Sequence, residues 1–94
     1  MENANIVHFN IEISGRVQGV GFRYSTVQAA RRYGIKGFVK NMNNGNVYIE
    51  AEGTKKNIEE FTRWCTSGPS LARVENVEVA KSSLKGFSFF DVKH

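Results

Sequence analysis

Val7, Phe9, Ile11 and Ile13 alternate with His8, Asn10, Glu12 and Ser14. That period of two predicts a half-buried strand. A glycine-rich loop, Gly15 to Gly21, follows. From Phe22 the pattern changes: Phe22, Thr26, Ala29, Ala30 and Tyr33 recur at helical spacing, with Arg31 and Arg32 turned outward. Gly34 is suited to end this helix. Gly37 to Met42 reads as a second strand and Asn43-Asn44-Gly45 as a hairpin turn, since Asn and Gly both tolerate positive φ. Val47, Ile49 and Ala51 alternate with Tyr48, Glu50 and Glu52 in a third strand. Thr54 is a suitable N-cap for a second helix with Ile58, Phe61, Trp64 and Cys65 on its apolar stripe. Ser67-Gly68-Pro69-Ser70 breaks it. Val74, Val77 and Val79 mark a fourth strand, and the change of phase between Val74 and Val77 suggests a bulge. Phe87, Phe89 and Val92 suggest a last short strand.

The order is βαββαβ, with room for an extra edge strand. Two helices on one face of an antiparallel sheet make a split βαβ, or ferredoxin-like, α+β fold. The chain has 94 residues, which suits a single domain spanning 1–94. Its composition, 40% hydrophobic and 23% charged, is that of a chain able to bury a core, not of a disordered one. The single cysteine, Cys65, has no internal disulfide partner, and no metal-ligand pattern surrounds it. A reducing, cytoplasmic setting fits that usage. The polar start, Met1 to Asn5, is no secretory signal, and no apolar run is long enough to cross a bilayer. The default oligomeric expectation is a monomer.

Charge narrows the ligand class. The net formal charge is +4. Between Ile13 and Ile49 there is no Asp or Glu, whereas Arg16, Arg23, Arg31, Arg32, Lys36 and Lys40 all fall there. This half of the chain attracts anions. The field alone does not separate a small phosphate from a nucleic acid.

The run Gly15-Arg16-Val17-Gln18-Gly19-Val20-Gly21-Phe22-Arg23 is the strongest chemical signal. Glycines let backbone N–H groups converge on an anion, a helix N-terminus just behind adds unpaired donors, and Arg23 brings a guanidinium fork. It is not a Walker A loop, because Phe22-Arg23 stands where Gly-Lys-Ser/Thr would need its Lys-Ser/Thr. It is not a dinucleotide fingerprint, because the third glycine would fall at Tyr24. It is not a cysteine phosphatase loop, because the thiol position is Val17. What remains is an anion nest without a nucleophile, metal carboxylates or a nearby histidine base. Such a nest suits acyl phosphates, whose leaving carboxylate needs little chemical help.

Together with Gly37-Phe38-Val39-Lys40-Asn41, the loop resembles the acylphosphatase family. The likeness runs from the first strand through Gly53 and more weakly to the C-terminus, where Phe87-Ser88-Phe89-Phe90-Asp91 departs from the family's ending. The resemblance implies hydrolysis of an acyl phosphate to carboxylate and inorganic phosphate, with no metal, no cofactor and no covalent intermediate. It implies that the amides of Arg16, Val17, Gln18, Gly19 and Val20 cradle the phosphate, that Arg23 binds its oxygens, and that Asn41 orients the attacking water. The expected partner is a small-molecule acyl phosphate, with neither nucleic acid nor membrane. Similar domains also open a larger carbamoyl-transfer enzyme of hydrogenase maturation; the 94-residue length favours a free-standing enzyme.

Other residues have plainer readings. Trp64, Phe61 and Ile58 read as core and Cys65 as a buried small hydrophobe. His8 reads as a residue of the exposed or helix-free face without a catalytic role. Arg16 is either a steering charge or a surface charge, and Tyr24 and Tyr48 are candidates for the site entrance. The competing functional class is a basic nucleic-acid-binding module, because the fold is shared with RNA-recognition domains and Lys36-Gly37-Phe38-Val39 faintly matches the start of an RNP1 segment. Lys40 and Asn41 stand where that motif needs apolar and aromatic residues.

Overall fold

The computed structural model describes residues 5–94; the polar start read above as no signal falls, apart from Asn5, outside that range. The elements are β1 (Ile6–Arg16), α1 (Phe22–Tyr33), β2 (Lys36–Asn41), β3 (Val47–Thr54), α2 (Lys55–Cys65), β4 (Arg73–Ser82) and β5 (Phe90–Lys93). They form one five-stranded sheet in the order β4-β1-β3-β2-β5, with both helices packed on one face. This is the ferredoxin-like arrangement, extended by one edge strand.

The expectation of an antiparallel sheet holds for four strands, whereas β5 pairs parallel to β2. The reason is directional. β4 runs antiparallel to β1 and ends beside the start of β1, where Ser82 faces His8. The chain then crosses the helix-free face and enters β5 from that same end, so β5 must run with β2.

The alternation in the strands does what the sequence pattern requires. Ile11 and Ile13 of β1, Val39 of β2, and Val47, Ile49 and Ala51 of β3 are buried with Ala29, Ala30, Ile58, Phe61 and Cys65 of the helices. Ile11 pairs with Ile49 and Ile49 with Val39, so one row of the core crosses three strands. Trp64 is half-buried, its ring edge-on to Phe22 at 5.7 Å and stacked near Phe61 at 6.2 Å. The Thr54 hydroxyl caps α2 by accepting from the Asn57 N–H at 3.2 Å. The α1 terminus closes with the Ile35 N–H donating to the Ala30 carbonyl at 2.8 Å around a left-handed Gly34. The bulge expected in the fourth strand lies at Glu75: Ser14 pairs with Asn76 and Gly15 with Val74, which leaves Glu75 as the extra residue.

Three local expectations need correction. In the β2–β3 turn, Asn44 does not take positive φ; only Gly45 does, at 92°, while the Asn44 carboxamide oxygen accepts from the Asn46 N–H. The backbone closes the turn, with the Gly45 N–H donating to the Met42 carbonyl at 3.1 Å and the Met42 N–H to the Asn46 carbonyl at 2.8 Å, and the Asn44 side chain adds to them. In the last strand, Phe90 and Val92 pack against the core, not Phe87 and Phe89. Phe89 is exposed, and Phe87 lies on the opposite sheet face, stacked on His8 at 5.8 Å and edge-on to Phe38 at 5.9 Å. Third, His8 does lie on the helix-free face but is only 1% exposed, because the crossing segment covers it.

That segment is held by carboxylates. Glu52 accepts from the backbone N–H groups of Lys85, Gly86 and Phe87, and its Oε2 lies 2.7 Å from His8 Nδ1. Glu50 accepts from Lys85 Nζ at 2.9 Å and from the Tyr48 hydroxyl at 2.8 Å, and lies 3.2 Å from His8 Nε2. Burial pushes both carboxyls up. The opposing donors outweigh it: the Lys85 N–H, His8 and the Phe87 N–H at Glu52, and Lys85, Tyr48 and His8 at Glu50. Both groups end below the ordinary carboxylate range. The unfolded chain therefore takes up protons first as pH falls. The stabilisation is complete above the ordinary glutamate range and is lost as pH drops through the depressed folded-state range. Glu52→Gln is expected to cost about 1–3 kcal/mol at neutral pH and to flatten the acid limb of the stability profile. Urea unfolding across a pH series checks both, and an acid limb as steep as wild type would remove Glu52 from the account.

Candidate active site

β1 and β2 run in the same direction with β3 between them, so their C-terminal ends share one end of the sheet. The loop 17–21 leaves β1 at that end and feeds α1. Val17 anchors it in the core with no exposed surface, and Val20 packs half-buried against the same core. Gly19 and Gly21 take φ of 75° and 76°, left-handed conformations that coil the loop back over the start of α1. Gly21 is the helix N-cap and supplies no side-chain acceptor. Among the described residues, the N–H groups of Val17, Gln18, Gly19 and Val20 donate to no protein acceptor.

The Gln18 carboxamide reaches the β2–β3 turn. Its Nε2 donates to the carbonyls of Met42 at 2.8 Å and Asn46 at 2.9 Å, the two residues that bracket the β2–β3 turn. One side chain thus ties the loop to the end of the strand that carries Asn41. Asn46 is held in turn, its Nδ2 donating to Glu12 Oε2 at 2.6 Å.

Asn41 is the last residue of β2, and it shares the helix-side row of Gly37 and Val39. The core ends at Val39, so Asn41 projects where the sheet opens to solvent. A cavity of about 520 Å³ lies there, and Val17, Gly19, Gly21, Phe22, Arg23 and Asn41 all line it. Arg23 and Asn41, predicted from separate motifs, are thereby brought together. Arg16, Gln18 and Val20 are not part of this wall; Arg16 is exposed at the end of β1, opposite Arg73.

The same cavity continues along α1 past Tyr24, Val27 and Gln28 to Arg31, and across to Val92 and His94. Of the two entrance candidates, only Tyr24 is here. Tyr48 lies on the opposite sheet face, where burial and the Glu50 carboxylate push its hydroxyl up to about 12. Among the described residues, no Asp or Glu side chain lines the cavity and Arg23 has no carboxylate partner. An anion entering it meets the positive charge of Arg23 and Arg31.

A family model described as Acylphosphatase matches residues 9–92. The chain belongs to the acylphosphatase family. It is 45% identical over 89 residues to an acylphosphatase of Archaeoglobus fulgidus, covering 95% of this chain and all of that one. Its fold superposes on the structure of an acylphosphatase from Coxiella burnetii with a TM-score of 0.93 and 34% identity, covering 99% of this chain and 100% of the other. It also matches full-length HypF, crystallised in a phosphate- and nucleotide-bound form, at TM-score 0.89 and 33% identity; there the match covers 99% of this chain and 12% of the larger one. This acylphosphatase fold therefore exists both alone and inside a longer protein.

Sequence reasoning passed over Gln18 as a side chain and gave no site role to Gln28, Arg31, Val92 or His94. The spacing of Arg23, Val27 and Arg31 at four-residue steps was a usable signal for one helix face. Nothing in the sequence pattern joins Val92 or His94 to that face. The tie made by Gln18 is open to a direct test. Gln18→Ala removes the second donor from two carbonyls that keep their backbone partners, the Gly45 N–H on Met42 and the Met42 N–H on Asn46, and is expected to lower stability by about 1 kcal/mol, read as a drop in the urea midpoint. An unchanged midpoint would mean that the turn holds without it.

Proposed function

We propose that this chain hydrolyses acyl phosphates, the activity for which its family is named, by direct attack of water. The loop amides from Val17 to Val20, which donate to no protein acceptor among the described residues, and the Arg23 guanidinium bind the phosphoryl oxygens. The Asn41 carboxamide accepts from water through its oxygen and donates through its nitrogen, so it can aim a water lone pair at phosphorus. The water oxygen–phosphorus bond forms as the bond from phosphorus to the acyl oxygen breaks. The electron pair leaves on the carboxylate, and the water proton passes to a phosphate oxygen. No side-chain base is required, because the leaving group is already a stable anion. An aspartate at position 41 would also hold water but would repel the phosphate.

The observation that carries this reading is the convergence of Arg23, Asn41 and the left-handed glycine loop on one cavity that, among the described residues, no acidic side chain lines. Arginine suits the task because it stays charged at every working pH. A covalent route through sulfur is disfavoured by burial, since Cys65 is fully enclosed in the core and burial pushes its thiol up.

The nucleic-acid reading loses ground on the helix-free face. The Phe38 ring lies against Tyr48 and Phe87, with Lys93 Nζ 4.6 Å from its centre, so it is already in use and poorly disposed for base stacking.

Steady-state hydrolysis of acetyl phosphate and benzoyl phosphate tests the proposal. Arg23→Ala and Asn41→Ala are each expected to lose on the order of 10²–10³ in rate, whereas Cys65→Ala retains its activity. A wild type no faster than buffer, or full rate in either of the first two variants, overturns it.

A further inference from the structure

The cavity is longer than a phosphate needs. Arg23, Val27 and Arg31 follow one another at four-residue steps on one face of α1, and all three line it. About 12 Å of helix axis separates Arg23 from Arg31. Arg31 borders this groove on one side and a second cavity, lined also by Lys36 and Phe89, on the other; helical side chains favour leaning toward the N-terminus, the direction in which Val27 and Arg23 lie. Val27 and Val92 give the middle of the groove apolar surface, and Gln28 and His94 give it polar rims. The result is a short, partly apolar groove lined by an arginine toward each end.

Arg31 and its neighbour Arg32 differ. Both sit in the last turn of α1, where a cation complements the helix dipole. Arg32 stays outside the groove, its guanidinium 5.9 Å from the centre of the Tyr33 ring. Arg31 lines the groove and has no carboxylate partner among the described residues.

Building on the proposed acyl phosphate reaction, we propose that Arg31 is a specificity residue that binds a second anionic group at the far end of the acyl chain. The preferred substrates are acyl phosphates whose short acyl chain ends in a carboxylate or a phosphonate-like group. The chain methylenes lie along Val27 and Val92 while the phosphoryl group occupies the loop and Arg23. A guanidinium fork matches either terminal group, and the relative rates of the two probe types show which it takes better.

The experiment compares kcat/KM for butyryl phosphate, glutaryl phosphate and 4-phosphonobutyryl phosphate in wild type, Arg31→Gln and Arg32→Gln. The wild type is expected to favour at least one anionic substrate over butyryl phosphate by about tenfold, the scale of one charge-assisted contact. Arg31→Gln brings that ratio close to one, and Arg32→Gln leaves it near the wild-type value. The Arg32 arm removes the same charge from the same turn, so it separates a local contact from a general field. No anionic preference in the wild type, a preference that survives Arg31→Gln, or an equal fall in both variants overturns the assignment. If butyryl phosphate itself is not hydrolysed, the failure belongs to the proposed reaction and Arg31 falls with it.

Discussion

The pairing of β3 between β1 and β2 is the constraint on which the rest depends. It aligns Ile11, Ile49 and Val39 in one buried row, and it brings the ends of β1 and β2 to the same side of the sheet. A slip of one residue would turn each apolar row to the other face. On β2 that slip would carry Asn41 away from the helix side along with Val39. The position of Asn41 is therefore secured by its ladder pairing with Val47 and by burial of a side chain two residues away, and, among the described residues, not by any side-chain hydrogen bond of its own. The Gln18 tie then holds the loop against the neighbouring turn, so both halves of the candidate site refer to one rigid edge.

The opposite end of the sheet is organised by charge. A segment without regular structure, residues 83–89, has to carry the chain from one edge of the sheet to the other. Its backbone donors need acceptors, and Glu52 supplies them for three successive residues. His8, Glu50 and Lys85 complete the group, and Phe87 roofs it. The consequence reaches the other face, because the crossing delivers β5 parallel to β2 and sets Val92 and His94 against α1. Thus a polar cluster on the helix-free face helps to build the wall of a cavity on the helix side.

The two arginines of the cavity illustrate how local and distant information combine. Their common helix face follows from spacing alone. That this face borders open space depends on β5, whose strand position was misread by placing Phe87 and Phe89 in it. Alternation could not settle the matter, since Phe87, Phe89 and Phe90 offer two competing phases within four residues. The three-dimensional answer puts Phe90 against Phe61 of α2 and leaves Phe87 to pair with His8, a partner 79 positions earlier.

By itself the sequence determined what local periodicity and backbone chemistry can encode. That includes the βαββαβ order, both helix stripes, the Thr54 cap, the bulge in the fourth strand and the glycine loop with its arginine. These depend on neighbours within a turn or a pleat, so spacing reveals them. Only the tertiary structure decided the parallel edge strand, the burial of His8 and the extension of the cavity to Arg31 and His94. Each of those depends on where the residue 83–89 crossing lies, and that path is chosen by buried carboxylates and an aromatic stack far apart in the chain, which no periodicity records.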